Sequence, residues 1–143
     1  MYKQLAVSSE EVSKNIDKYL DKVSGGRPIF IKHRDKYAVA LELGLMKQLV
    51  EEVTFRIKVE REVDESYILT ADGFDMIATG QTLEEAQQEL AEELGEYAKD
   101  YFDEVEVWSK DKHRASQIKE MVFILLTEDD EELKSHFILS YLM

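Results

Sequence analysis

The chain has 143 residues, a formal net charge of -13, 44 % hydrophobic residues and no cysteine. That length suits one ordinary domain or two small ones, and that hydrophobic share excludes a disordered chain. The missing thiol excludes disulfides, thiol catalysis and cysteine-bound zinc.

In chain order, Lys3 to Val7 reads as a short strand. Ser8-Ser9-Glu10-Glu11 then has the form of a capping box, with Ser8 accepting from the backbone three residues on and Glu11 reaching back. Val12, Ile16, Tyr19, Leu20 and Val23 follow at helical spacing and predict one helix. Gly25-Gly26 ends it, and Pro28 prevents its continuation. Ile29 to Lys32 and Tyr37 to Glu42 are paired strands, rich in β-branched and aromatic residues. The turn between them, His33-Arg34-Asp35-Lys36, lacks the Asn-Gly or Asp-Gly signal that fixes hairpin register. A helix is expected over about residues 45–52.

Phe55 to Arg61 alternates apolar and charged residues, the mark of a half-buried strand. Tyr67 to Thr70 and Met76 to Ala78 are further strands, with turns near Asp64-Glu65 and Asp72-Gly73. Thr82-Leu83-Glu84-Glu85 is a second capping box. It opens a long helix whose apolar face runs from Leu83 through Leu90 and Leu94 to Phe102. Met121 to Leu126 fits either a helix or a buried strand. Helix is favoured, because Ile118 extends the apolar spacing upstream. Asp129 to Phe137 reads as a last short helix, starting with acids as the helix dipole favours. Leu139 to Met143 carries no charged side chain, which hints at burial or a dimer contact. Three regions are expected: 1–52, 53–105 and a helical extension over 106–143 that folds back on the second.

Charge divides the chain. Residues 1–52 hold 9 Lys and Arg against 8 Asp and Glu, whereas residues 53–143 hold 9 against 23. The basic turn Lys32-His33-Arg34-Asp35-Lys36 is thus the anomaly of an acidic protein. It suits nucleic-acid phosphates, which supply sequence-independent affinity. Lys14, Lys18 and Lys22 add charge along the first helix, although Asp17 and Asp21 partly neutralise them. No motif for catalysis, metal or a cofactor appears. The histidines at 33, 113 and 136 lack metal-site spacing. The acids from Glu128 to Glu132 lack the spaced ligands and central glycine of a calcium loop. The glycines form no phosphate cradle. The N-terminus has no signal-peptide core, and no apolar run is long enough to span a bilayer. A soluble cytoplasmic protein without cofactors and without membrane contact is expected.

Val7 to Ile16, the Gly25-Gly26 stop, Pro28 to Arg34 and Ala38-Val39-Ala40-Leu41 together resemble the Phd/YefM antitoxin N-terminal domain over residues 1–52. The resemblance implies a homodimer that binds operator DNA as a repressor and neutralises a toxin through its C-terminal part. It places DNA contacts at Ser8, Ser9, Ser13, Lys14, Lys32, His33 and Arg34, with Lys36 closing the basic turn. Ser13 stands where that family often has arginine, whose fork grips phosphate as serine cannot.

Gly80-Gln81-Thr82-Leu83-Glu84-Glu85-Ala86 resembles the HicB antitoxin pattern, with cover over about residues 53–105. That resemblance implies a small αβ domain related to the RNase H fold, without nuclease residues. The fold class expected is therefore α+β: a small Phd/YefM-like dimerisation domain, a HicB-like (partial RNase-H-like) αβ domain, then C-terminal helices. The function implied is that of a type II antitoxin, with a basic, RNA-cleaving protein toxin and operator DNA as partners and a dimer or tetramer as its state. An acidic protein can occupy a basic toxin surface and speed the encounter. Two other readings stay open. One is an acidic interaction module, or dimerisation scaffold, that has lost DNA binding. The other is a carboxylate-using hydrolase whose acids Glu60, Glu62 and Asp64 would have to converge on a metal.

Overall fold

In the computed structural model, which describes residues 1–142, the chain divides into two units, Met1–Leu49 and Val50–Met143. The first contains α1 (Tyr2–Leu5), β1 (Val7–Ser8), α2 (Ser9–Lys14), α3 (Ile16–Ser24), β2 (Ile29–His33), β3 (Lys36–Ala40) and α4 (Leu43–Leu49). Its sheet has the order β1-β2-β3, with β1 parallel and β3 antiparallel to β2.

Four expectations for this unit need correction. The strand expected from Lys3 is a helical turn, and only Val7 and Ser8 pair with β2. The turn sets the Tyr2 ring 5.0 Å from that of Tyr37 and 6.5 Å from that of Phe30, packing that an extended chain would give up. The single first helix is two, broken at Asn15, which has φ -129° and ψ 42°. Ser8 caps α2 as expected, its Oγ accepting from the Glu11 N–H at 3.1 Å. Glu11 does not reach back. Its Oε1 accepts instead from Asn15 Nδ2 at 3.0 Å and the Tyr19 hydroxyl at 3.3 Å, which ties the break in place. The fourth correction is small: α4 begins at Leu43 and ends at Leu49.

The glycine stop holds. Gly26 takes φ +99°, and the Arg27 N–H reaches back to the Lys22 carbonyl at 3.0 Å, the six-to-one bond of a Schellman ending. In the hairpin, His33 faces Lys36, so the loop is only Arg34 and Asp35. Arg34 has φ +57°, the left-handed conformation that such a short loop needs and that glycine would take without strain.

The second unit contains β4 (Phe55–Arg61), β5 (Tyr67–Ala71), β6 (Met76–Gly80), α5 (Leu83–Asp103), α6 (Val105–Trp108), α7 (Lys112–Ala115), α8 (Ile118–Leu126), α9 (Asp130–Lys134) and β7 (Phe137–Tyr141). Its sheet has the order β6-β5-β4-β7, with the first three strands an antiparallel meander and β7 parallel to β4. Strand β4 alternates as its sequence predicts. Phe55, Ile57 and Val59 are buried, and Arg56, Lys58 and Glu60 are exposed. The buried side meets Ala86, Leu90, Leu94, Ala98 and Tyr101 of α5 in one core. Each such leucine contributes about 1.5–3 kcal/mol by leaving water. Helix α8 forms as favoured, through Met121, Phe123 and Ile124.

The expected helical extension over 106–143 is corrected at its end: residues 137–141 are a strand, and the last helix stops at Lys134. As expected, the segment folds back on residues 53–105, with Trp108, Met121 and Leu133 buried in the same core. Met143, the last residue of the uncharged tail, lies outside the described residues. Among the described residues no helix is long and apolar enough to cross a membrane.

Candidate nucleic-acid interface

Residue by residue, the hairpin and the start of α2 assemble a cationic, hydroxyl-rich surface. Parallel pairing of β1 with β2 sets Ser8 beside Lys32. The Ser9 Oγ lies 2.8 Å from His33 Nδ1. A shallow depression is lined by Lys3, Ser8, Ser9, Glu10, Lys32, Arg34 and Tyr37. The Lys32 ammonium sits 5.8 Å from the centre of the Tyr37 ring, within cation–π range. Among the described residues neither Lys32 nor Arg34 has a carboxylate partner, so both charges are available.

Of the eight candidates, Ser8, Ser9, Lys32, His33 and Arg34 are brought together. Ser13 lies one turn beyond Ser9, along an apolar groove with Val12, Ile16 and Ile31. Lys14 and Lys36 are exposed but line neither depression. Lys3 and Tyr37 join the cluster although the sequence did not single them out. Tyr37 faces Lys32 across the hairpin, in a register that the turn sequence leaves open. Lys3 gave no signal, because its segment reads as a strand.

The unit bearing this surface holds 9 Lys and Arg against 6 Asp and Glu, and the second unit holds 9 against 25. The second unit's acids have structural duties. The Asp129 Oδ1 caps α9 by accepting from the Glu132 N–H at 2.9 Å, and Glu132 Oε2 accepts from the Glu128 N–H at 2.7 Å. This resembles a capping box, with Glu132 reaching back to the residue just before the cap, and it gives the acid run a structural role. His136 is likewise structural, its Nδ1 2.7 Å from the Val53 carbonyl and its ring 4.4 Å from that of Phe123. Among the described residues no group of three His, Asp or Glu converges as a metal site would require. Glu60 stands on the strand's exposed face, while Asp64 is turned to Ser66, whose hydroxyl and N–H hold its carboxyl below the usual range.

No curated protein matches the sequence. Among solved structures, a chain from Syntrophomonas wolfei subsp. wolfei, crystallised as the antitoxin part of a proposed toxin/antitoxin system, is similar over 96 % of this chain and 99 % of its own, with a TM-score of 0.86 and 25 % identity. The model of the PHD_like family, described as antitoxin of toxin-antitoxin, RelE / RelB, TA system, matches residues 1–139. The chain therefore belongs to the PHD_like family of toxin-antitoxin antitoxins, and its role is regulatory, not enzymatic.

Proposed function

We propose that this antitoxin neutralises a basic, RNA-cleaving toxin through its acidic second unit and represses its own operon by binding DNA through the first. The observation that carries the DNA half is the gathering of Ser8, Ser9, Lys32, His33 and Arg34 on the unit with the basic excess. Cations and hydroxyls at this spacing suit backbone phosphates.

Homodimerisation through the first unit belongs to the same reading. Only Tyr19 and Ile29 of its large apolar side chains are buried, while Leu5, Leu20, Val39, Leu43 and Leu49 are each more than half exposed. A unit this poorly enclosed gains most by covering those side chains with a second copy. The HicB-like reading of the second unit is supported by its chain order. Three meandering strands, a long helix and a strand returning parallel to the first give the layout 3-2-1-4, that of a partial RNase-H-like domain. For the toxin, a groove offers acids Glu92, Glu96, Glu128 and Asp129 around the apolar Leu125.

The test is a gel shift with the chain's own upstream DNA, at low and moderate salt, beside a pull-down of the neighbouring gene's product. Retardation that weakens as salt rises supports the repressor reading, and no retardation at low salt overturns it. The second reading, a protein-interaction module without DNA binding, is favoured by Ser13 in the arginine position and by Lys14 and Lys36 standing outside the cluster. Toxin capture without a gel shift would establish it.

A further inference from the structure

The two edges of the second unit's sheet are treated differently. At the β6 edge the outward Thr79 N–H is occupied by the Glu89 carboxylate of α5, at 3.0 Å. A charge there blocks strand addition, the usual protection of an exposed edge. Among the described residues the β7 edge has no such guard. Phe137-Ile138-Leu139-Ser140-Tyr141 holds no charge and no proline, in a unit where acids outnumber bases by 25 to 9. Among the described residues strand β7 pairs only with β4. The His136 carbonyl accepts from the Phe55 N–H at 2.9 Å, and the Leu142 N–H donates to the Val59 carbonyl at 3.0 Å. Backbone direction alternates along a parallel strand. The even-numbered residues therefore bond inward to β4, and Phe137, Leu139 and Tyr141 aim their N–H and C=O groups outward.

From this we infer that β7 pairs antiparallel with β7 of a second copy of this chain, about a two-fold axis at Leu139, to make one continuous sheet. The strand is self-complementary for that arrangement. Its outward residues are spaced symmetrically, so Leu139 meets Leu139 of the second copy and Phe137 meets its Tyr141, each as a hydrogen-bonded pair. Ile138 then faces Ser140 of the second copy as the closer, non-bonded pair on the open face. Neutrality selects the occupant. A basic partner has no countercharge to find on this strand, whereas an identical neutral strand brings no repulsion at the seam. This interface is independent of the DNA reading and separate from the first unit's exposed apolar surface.

Two measurements on the full chain decide it. The first is residue-resolved amide exchange of the wild type alone. Pairing slows the outward amides of Phe137 and Leu139 to within about tenfold of the inward Ile138 and Ser140 amides. In Tyr141→Pro, which loses an outward donor at an exposed position, the Phe137 and Leu139 amides speed up at least about a hundredfold while the inward pair stays protected. The second identifies the occupant. The chain has no cysteine, so Ile138→Cys and Ser140→Cys chains, refolded together, form a cross-linked dimer under mild oxidation only if these positions face each other. Each variant alone does not. Outward amides exchanging at the free rate overturn the pairing. Protected amides with no cross-link in the mixture overturn the second copy as occupant.

Discussion

The Ser9 hydroxyl and His33 Nδ1 lie 2.8 Å apart, joining the first residue of α2 to the last of β2. This bond fixes the hairpin tip against the helix start, so the hydroxyls and cations of the candidate surface are held at one spacing. Ser9→Ala is expected to leave the fold standing, since an exposed hydrogen bond contributes only about 0.5–1.5 kcal/mol. On the proposed DNA-binding reading, it should weaken binding to operator DNA roughly three- to tenfold. Fluorescence anisotropy beside a thermal melt separates the two effects. Equal loss of stability and affinity would make the bond structural only.

If Lys32 and Arg34 each neutralise one phosphate, their loss has a signature that general damage lacks. Lys32→Ala and Arg34→Ala should each reduce the slope of log affinity against log salt by about 0.9. An unchanged slope for either variant removes that side chain from the phosphate contact.

Arg34 also carries backbone strain. With φ +57° it holds a conformation costing a non-glycine residue about 1–2 kcal/mol. Arg34→Gly relieves that but adds freedom to the unfolded chain, worth about 0.4–1 kcal/mol. The net expectation is a slight gain in stability, below about 1 kcal/mol, together with the same loss of DNA affinity as Arg34→Ala. Denaturant melts test the first part. A clear loss of stability would mean that the guanidinium itself holds the loop.

What the sequence disclosed follows the range of the forces involved. Strand β4 was legible because each of its residues has a fixed wet or dry side, and α5 because Thr82 and the apolar positions from Leu83 to Phe102 mark one face. The break at Asn15 was hidden because Val12, Ile16 and Tyr19 keep helical spacing across it. Only the convergence of Asn15 and Tyr19 on Glu11 reveals it. Strand β7 was missed for a different reason. Its partner β4 lies some eighty residues earlier, so no local turn announces the pairing, and the acid-led run before it reads naturally as helix to Phe137. Of the candidate surface, the residues on one hairpin and one cap were visible in order. Their meeting with Lys3 depended on a helical turn stabilised by rings at Phe30 and Tyr37.

Glu93 gives a pH-dependent prediction. Burial, and then the Glu89 carboxylate one turn earlier, push its carboxyl above the usual glutamate range. The folded chain thus holds this proton more tightly than the unfolded chain. The resulting stabilisation is present in full below about pH 4 and is lost as pH rises through the raised value. At pH 7 the charge is a cost, so Glu93→Gln should stabilise the fold, by less than about 1 kcal/mol because solvent screens a part-exposed group. Urea melts at pH 7 and pH 4 check this: the variant's advantage should shrink in acid. An advantage that persists unchanged at pH 4 would trace to packing and not to charge.

Gly80 closes β6 two residues before the Thr82 cap, and its neighbours explain why a glycine opens that pattern. A Cβ there would lie 2.5 Å from the Ala86 backbone nitrogen and 3.0 Å from the Ala86 Cα. These are helix backbone atoms that cannot swing aside. The Thr82 Oγ1 accepts from the Glu85 N–H at 3.1 Å, and Glu85 Oε2 accepts from the Gln81 N–H at 3.0 Å, so the entry to α5 is tied from both sides. Ala86 is fully buried against the sheet, which leaves the first turn no room to retreat. Gly80→Ala must therefore lift α5 from β6 or distort its cap, at a cost of about 1–3 kcal/mol or more. The neighbouring Gln81→Ala keeps its backbone N–H and meets no such wall, so it should stay within about 0.5 kcal/mol of wild type. Equal melting temperatures for Gly80→Ala and wild type would mean that helix and strand are not held this closely.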